Sequence, residues 1–375
     1  MSAVKDLVKA KCSVRALLEH AEFDSALRDG RVVVDYLLQP TRMGELLDEL
    51  MREPAPNSDA VGVFMRAVDV FKLDEIGDEI ARVVLENKAL VQRFTALFQR
   101  APPISSGVFN ANAQLLLFLT QRNVTRMVEH LKATKGAVVV ALLNHLQQQS
   151  ATPLIARLIE LDVMGRTSQA LADGNFGAAM LERLARSQEC GADELCLCES
   201  IAAVVSVDLL EGRPIATAPL VRQMCEPNNA RNLYNFALKS GKDMNARAEA
   251  GLAVINVMVR RCPATTPNAE TAAVNDLPSP LRAAFGAIPQ VVKSLRTYKS
   301  DKYFGCYRLA MVEFLCALAS TGYRHLHTLL VDAGAFAVVF DIFFDRHWIN
   351  FVHRLVRDLR YFIFYYYYDN YRFTN

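Results

Sequence analysis

The sequence predicts an all-α protein, an α-solenoid of armadillo- or HEAT-like helical repeats. Three observations predict it. Apolar residues recur at the helical period along almost every segment, and the alternation of a half-buried strand is nearly absent. Prolines fall between these segments, at Pro40, Pro54, Pro56, Pro102, Pro103, Pro153, Pro214, Pro227, Pro263, Pro267, Pro278 and Pro280, where a missing amide hydrogen costs least. Helix pairs recur roughly every 40–45 residues, the spacing of HEAT and armadillo units. About sixteen helices of roughly 10–16 residues fit this rhythm, and a compact helical bundle is the alternative.

Size leaves two readings open, two domains or an elongated array. A chain of 375 residues, 52% hydrophobic, carries more core-forming material than one compact core of roughly 250–300 residues absorbs. Forty-two basic residues against 40 acidic ones leave a net charge of +2. That excludes the basic excess of a nucleic-acid binder and the high charge of a disordered chain. The eight cysteines (Cys12, Cys190, Cys196, Cys198, Cys225, Cys262, Cys306 and Cys316) are scattered through the chain, and Met1–Leu7 has no apolar signal core. A reducing compartment is expected, cytoplasmic and also nuclear. No window reaches the roughly 18 consecutive apolar residues of a membrane span.

The elements follow in order. Residues 1–30 form a helical lead-in, and 31–360 form the helical-repeat domain. Val61, Phe64, Met65, Val68 and Phe71 fit one core-facing stripe, and Leu73, Ile76, Ile80, Val83 and Val84 fit the next. Asp74, Glu75, Asp78 and Glu79 sit in the first turns of that second helix, where their charge suits the helix dipole; a solvated face is expected there rather than a metal site. Thr152 followed by Pro153 reads as an N-cap and first helical position. Asn228 and Asn229 read as caps for the helix carrying Leu233, Phe236 and Ala237. From Cys262 to Pro280 the periodicity lapses, which predicts a long exposed loop. Residues 361–375 are a Tyr-rich tail.

Few positions point to chemistry. Cys196 and Cys198 lie two apart on a helix and so face different ways, which is poor geometry for one tetrahedral metal. His325, His327, His347 and His353 lack the paired spacing of a zinc helix. Asp173 to Gly177 is a loop between helices. Arg354, Arg357 and Arg360 repeat at helical spacing as a solvated face. No Gly-x-Ser-x-Gly elbow, Walker loop or dinucleotide-binding glycine pattern occurs, so no enzyme, cofactor or metal is expected. Asp341 to His353 stands out because it holds the single tryptophan, Trp348. On a helix, Trp348, Phe351 and Val352 share a face, while Asn350 and His353 point elsewhere.

These segments also carry a family resemblance. Asp341-Ile342-Phe343-Phe344, three spacer residues, then Trp348-Ile349-Asn350-Phe351-Val352-His353 is similar to the C-terminal signature of the SAPS-domain family, the regulatory subunits of the type-6 PPP serine/threonine phosphatase. Ile349 stands where the family has Asn, and Val352 where it has Leu. Arg308-Leu309-Ala310-Met311-Val312-Glu313 resembles the family's Arg-Leu-x-x-Val-Glu helix. Tyr36 to Leu46 resembles an N-terminal segment built around Pro40. Pro102-Pro103-Ile104, leading into an apolar helix, resembles another; Ser105 and Ser106 replace its usual Asn-Pro. The resemblance runs from about Val33 to Asp358 in the family's order, and the family's opening aromatic-rich segment is missing before Arg31.

The resemblance implies a non-catalytic subunit that binds a PPP-type serine/threonine phosphatase catalytic subunit, together with further scaffold or substrate proteins. The alternative is a general armadillo- or HEAT-type adaptor for another protein. The residues it singles out are Asp341, Phe343, Phe344, Trp348, Asn350 and His353, with Arg308 and Glu313 as supporting polar groups. Phe343, Phe344 and Trp348 are expected in the core, and Asn350 and His353 at the surface.

Overall fold

A computed structural model describes residues 2–29, 31–55, 58–161, 165–187, 191–208, 218–239, 244–262, 273–300, 303–345, 350, 352 and 354–356. Among them there is no strand. Among the described residues, twenty-two α-helices of 6–18 residues run between Ser2 and Asp345, more and shorter than the period alone suggests. The protein divides into two compact units, residues 1–174 and 175–375.

In the first unit, the opening residues form three short helices, Ser2–Lys9, Val14–Glu19 and Phe23–Asp29. Ser13 caps the second by accepting from Ala16 N at 3.2 Å, and its Val14, Leu17 and Leu18 are fully buried against the helices Pro40–Met51 and Asp59–Phe71. Pro40–Met51 buries Met43, Leu46, Leu47 and Leu50. Gly44 on this helix leaves room for the Arg93 side chain, 2.7 Å from where a Cβ would stand, and Arg93 grips Asp48 with two nitrogens.

The Asp59–Phe71 helix is rotated from the expected register. Its buried face is Val63, Phe64, Ala67, Val70 and Phe71, leaving Val61 and Met65 exposed and Val68 half-buried. The acidic turn that follows is a solvated face, as expected: Asp74 and Asp78 are both largely exposed and both bonded to Arg122. Thr152 is not a cap. The helix Ala151–Glu160 begins after Ser150, so Pro153 is its third residue, where an amide hydrogen would still lack an intrahelical partner.

In the second unit, Met244–Arg260 packs against Ala192–Asp208, Pro227–Ala237 and Cys306–Ala319. Gly251 makes one of these contacts possible, because a Cβ there would lie 2.6 Å from the Ala237 Cβ. Cys306–Ala319 is apolar apart from Arg308 and Glu313 in its interior, and buries Ala310 to Val312 and Phe314 to Ala319. Asn228 and Asn229 are not caps: Pro227 opens the helix Pro227–Ala237 behind Glu226, and buried Asn229 donates from Nδ2 to the Gln223 carbonyl at 2.8 Å. The expected loop 262–280 is shorter at its far end, where Val274–Asp276 forms a 3₁₀ turn and the helix Ser279–Arg296 starts with Pro280 in its first turn. Residues 263–272 and the Tyr-rich tail lie outside the described residues.

The packing is repeat-like, at intervals mostly longer than the 40–45 residues read from the sequence. In the first unit, contacts from Arg93 to Asp48, Arg100 to the Met51 carbonyl, Arg122 to Asp74, His145 to the Phe98 carbonyl and Gln148 to the Ile104 carbonyl span 44–49 residues. In the second, Tyr234 to the Pro280 carbonyl, Tyr298 to Asp345, Arg260 to Glu313 and Asn256 to the Ala310 carbonyl span 46–54.

Candidate functional site

The described motif residues lie on two helices of the second unit, Cys306–Ala319 and Ala335–Asp345, with helical Asn350 after them. Arg308 is 2% exposed. Its Nη1 donates to the carbonyls of Tyr303 at 3.3 Å and Phe304 at 3.1 Å, and its guanidinium lies 4.8 Å from the Tyr307 ring centre. These carbonyls precede Gly305, whose φ of +78° turns the chain into the helix. Arg308 thus fastens the entry to its own helix, offsetting the cost of a buried charge with carbonyl and ring contacts. Glu313 is half-buried and pairs with Arg260 Nη2 at 2.7 Å. Between them, the buried Asn256 donates to the Ala310 carbonyl at 3.4 Å and has no hydrogen-bond partner for Oδ1.

On Ala335–Asp345, the residues facing the core are Ala335, Val338, Val339 and Ile342; this helix packs against Ser279–Arg296 and Arg324–Asp332. Asp341 is exposed. Phe343 is half-buried, its ring edge-on to Phe344 with centroids 5.1 Å apart. Phe344 is not in the core: it is 71% exposed. The reason is angular. With Val338, Val339 and Ile342 inward, position 344 falls roughly 200° around the helix from 342. Asn350 is helical and exposed, as expected. Trp348 and His353 lie outside the described residues, and so do Arg357 and Arg360; Arg354 is exposed.

Sequence reasoning passed over Asp345, taken as a spacer. Its carboxylate accepts from the Tyr298 hydroxyl and pairs with Lys299 Nζ at 2.8 Å. Burial, then the hydrogen bond to Asp345, raises the Tyr298 pKa; that same carboxylate is the first cause of a raised pKa at exposed Lys299. No local pattern links residues 47 apart, so only the repeat rhythm could have paired them. His327 is buried, with Nε2 2.7 Å from the Ala319 carbonyl. Nε2 therefore carries the hydrogen, and burial pushes the pKa of the ring down while the carbonyl pulls it part of the way back.

Among the described residues, no group of three or more His, Cys, Asp or Glu is placed to hold a metal ion. Cys198 is buried and Cys196 half-buried, on different faces of their helix. Burial raises the thiol of Cys262 to about 12 and pushes Cys225 higher still, so neither is a thiolate nucleophile near neutral pH. No single described helix is long and apolar enough to cross a membrane. The arrangement is suited to holding a surface in place: a helix anchored by Asp345 at its end and by Ile342 beneath presents Asp341 and Phe344 outward. Comparison with protein-family models and with curated protein sequences gives no match for this chain.

Proposed function

We propose that the protein is a non-catalytic scaffold, an α-solenoid of armadillo- or HEAT-like repeats that binds a PPP-family serine/threonine phosphatase catalytic subunit and directs it to substrates. The observation that carries this reading is the ordered series of SAPS-like segments ending at Asp341 to His353. Its described part supports a binding role, because Asp341, Phe344 and Asn350 are exposed. A mostly exposed Phe on a pinned helix has the character of an interface anchor, with apolar area to bury and little rotamer entropy to lose. Hydrolytic chemistry belongs to the partner on this reading. The scaffold acts by raising the effective concentration of substrate beside it.

Affinity purification of the tagged full-length chain from its native cell tests this, with bound proteins identified by mass spectrometry. Stoichiometric recovery of a type-6-like catalytic subunit is expected. Its reproducible absence alongside a different stoichiometric partner would overturn the phosphatase reading and make the chain a general adaptor.

A further inference from the structure

A groove within the second unit lies elsewhere, along Pro227–Ala237 between the end of Phe176–Arg186 and the Ser279 to Gln290 part of Ser279–Arg296. Its volume is about 850 Å³, within the size range of ligand-binding clefts. Two rows of side chains line it. Arg231 and Asn235 lie four apart on Pro227–Ala237, with Lys239 beyond the end of that helix; Arg282, Gly286 and Gln290 lie four apart on Ser279–Arg296. Gly286 opens the cleft, since a Cβ there would meet nothing within 4 Å.

The charge on these walls is one-sided. Three cations line the groove and, among the described residues, no Asp or Glu does. Elsewhere the pattern is different: Arg93, Arg122, Arg157 and Arg260 each sit against a carboxylate. Among the described residues, Arg282 bonds the Ser279 hydroxyl and Lys239 the Ser187 carbonyl, while Arg231, Asn235 and Gln290 make no side-chain hydrogen bond. In a chain of net charge +2, three cations lining one cleft with no described carboxylate in its walls form a local positive field, strengthened by the low-dielectric walls. The amides of Asn235 and Gln290 offer both donors and acceptors of the kind a peptide backbone needs.

We propose that this groove binds an acidic stretch of polypeptide, its carboxylates meeting Arg231, Lys239 and Arg282 and its backbone meeting Asn235 and Gln290. The site is separate from the motif helices and does not depend on the phosphatase reading.

Fluorescence anisotropy with a labelled Glu-rich peptide tests it, using the full chain. Saturable binding that weakens as salt rises is expected. Arg231→Glu with Arg282→Glu should weaken it by about tenfold or more. Gly286→Leu fills the cleft without changing charge and should weaken it too, whereas Arg222→Glu, on an exposed residue outside the groove, should not. Thermal unfolding of each variant separates lost binding from lost fold, and Gly286→Leu keeps the test open if the double reversal does not fold. The proposal is overturned if the Glu-rich peptide does not bind, if Arg222→Glu weakens binding as much, or if Gly286→Leu binds like wild type. Equal binding of a Lys-rich peptide or of a single-stranded oligonucleotide overturns it as well.

Discussion

Asp345 takes a hydrogen bond from the Tyr298 hydroxyl, 47 residues before it in the chain, and a second contact from Lys299 Nζ at 2.8 Å. The pair fastens the C-terminal end of the motif helix to the 3₁₀ turn following Ser279–Arg296. Replacing Tyr298 by Phe keeps the ring and removes the bond, so it should cost about 1–2 kcal/mol in urea unfolding. The pH dependence carries a sign. Tyr298 is an acid whose folded pKa lies above its usual value of about 10, so the stability it contributes is present below that pH and lost as pH rises through the folded pKa. Wild type should lose stability in that alkaline window more steeply than Tyr298→Phe, and parallel curves would exclude the linkage.

Arg308 is a second polar group whose position defines its role. Enclosed beneath its helix, it donates to two carbonyls at the helix entry, so Arg308→Ala should destabilise by about 3 kcal/mol, and Arg308→Lys should recover only part of that. Denaturant midpoints measure this. A fully stable Arg308→Ala that lost partner binding would instead place the residue at an interface.

His327 gives the acid-side counterpart. Its folded pKa is depressed by burial, so its neutral form contributes stability that is present above the unfolded value of about 6.5 and lost as pH falls through the folded pKa. His327→Gln retains an amide donor for the Ala319 carbonyl and removes the titration. Between neutral and mildly acid pH the second unit should therefore lose less stability in His327→Gln than in wild type. Hydrogen exchange at amides of Cys306–Ala319 and Arg324–Asp332 follows that unit directly. An identical pH response in the two proteins would remove His327 as its source.

Two glycines in the same unit should respond oppositely to the same change. Gly251 faces Ala237 so closely that Gly251→Ala must push two helices apart, at about 1–3 kcal/mol. Gly286 faces open space on a helix, so Gly286→Ala should stabilise by about 0.5–1 kcal/mol through helix propensity. Melting temperatures of the two variants should move in opposite directions, and a stable Gly251→Ala would mean that the helices pack less tightly there.

How much of this was legible varies with the physics involved. The helical period was readable because it rests on many residues, whereas the interval between helix pairs was read only approximately: Gln148 to the Ile104 carbonyl spans 44 residues and Asn256 to the Ala310 carbonyl 54. Register was harder. In Asp59–Phe71, Val61, Val63, Met65 and Val70 are all apolar, so two stripes fit and only packing selects the one through Val63, Ala67 and Val70. Caps failed for a related reason: Ser150 precedes Thr152 and both are suitable side chains, while buried Asn229 is used for a contact to the Gln223 carbonyl. The basic groove was invisible because its rows are 51 residues apart at Arg231 and Arg282 and each alone looks like a solvated face.

Phe344 shows the same limit with a consequence for function. Ala335 to Phe344 is apolar at every position but Asp341, so periodicity assigns no outer face, and Phe344 reads as core. The structure turns it outward at 71% exposure, edge-on to half-buried Phe343. Truncating an exposed ring leaves no cavity, so Phe344→Ala should shift the unfolding midpoint by less than about 0.5 kcal/mol. Ile342 lies fully buried two residues earlier, and Ile342→Ala should cost about 2–5 kcal/mol. If Phe344 anchors a phosphatase catalytic subunit, Phe344→Ala should weaken that complex by about 2 kcal/mol while the scaffold stays folded. Calorimetric titration of the purified pair measures this. A large loss of stability in Phe344→Ala would return the ring to the core, whereas unchanged affinity in a folded variant would move the binding surface away from this helix.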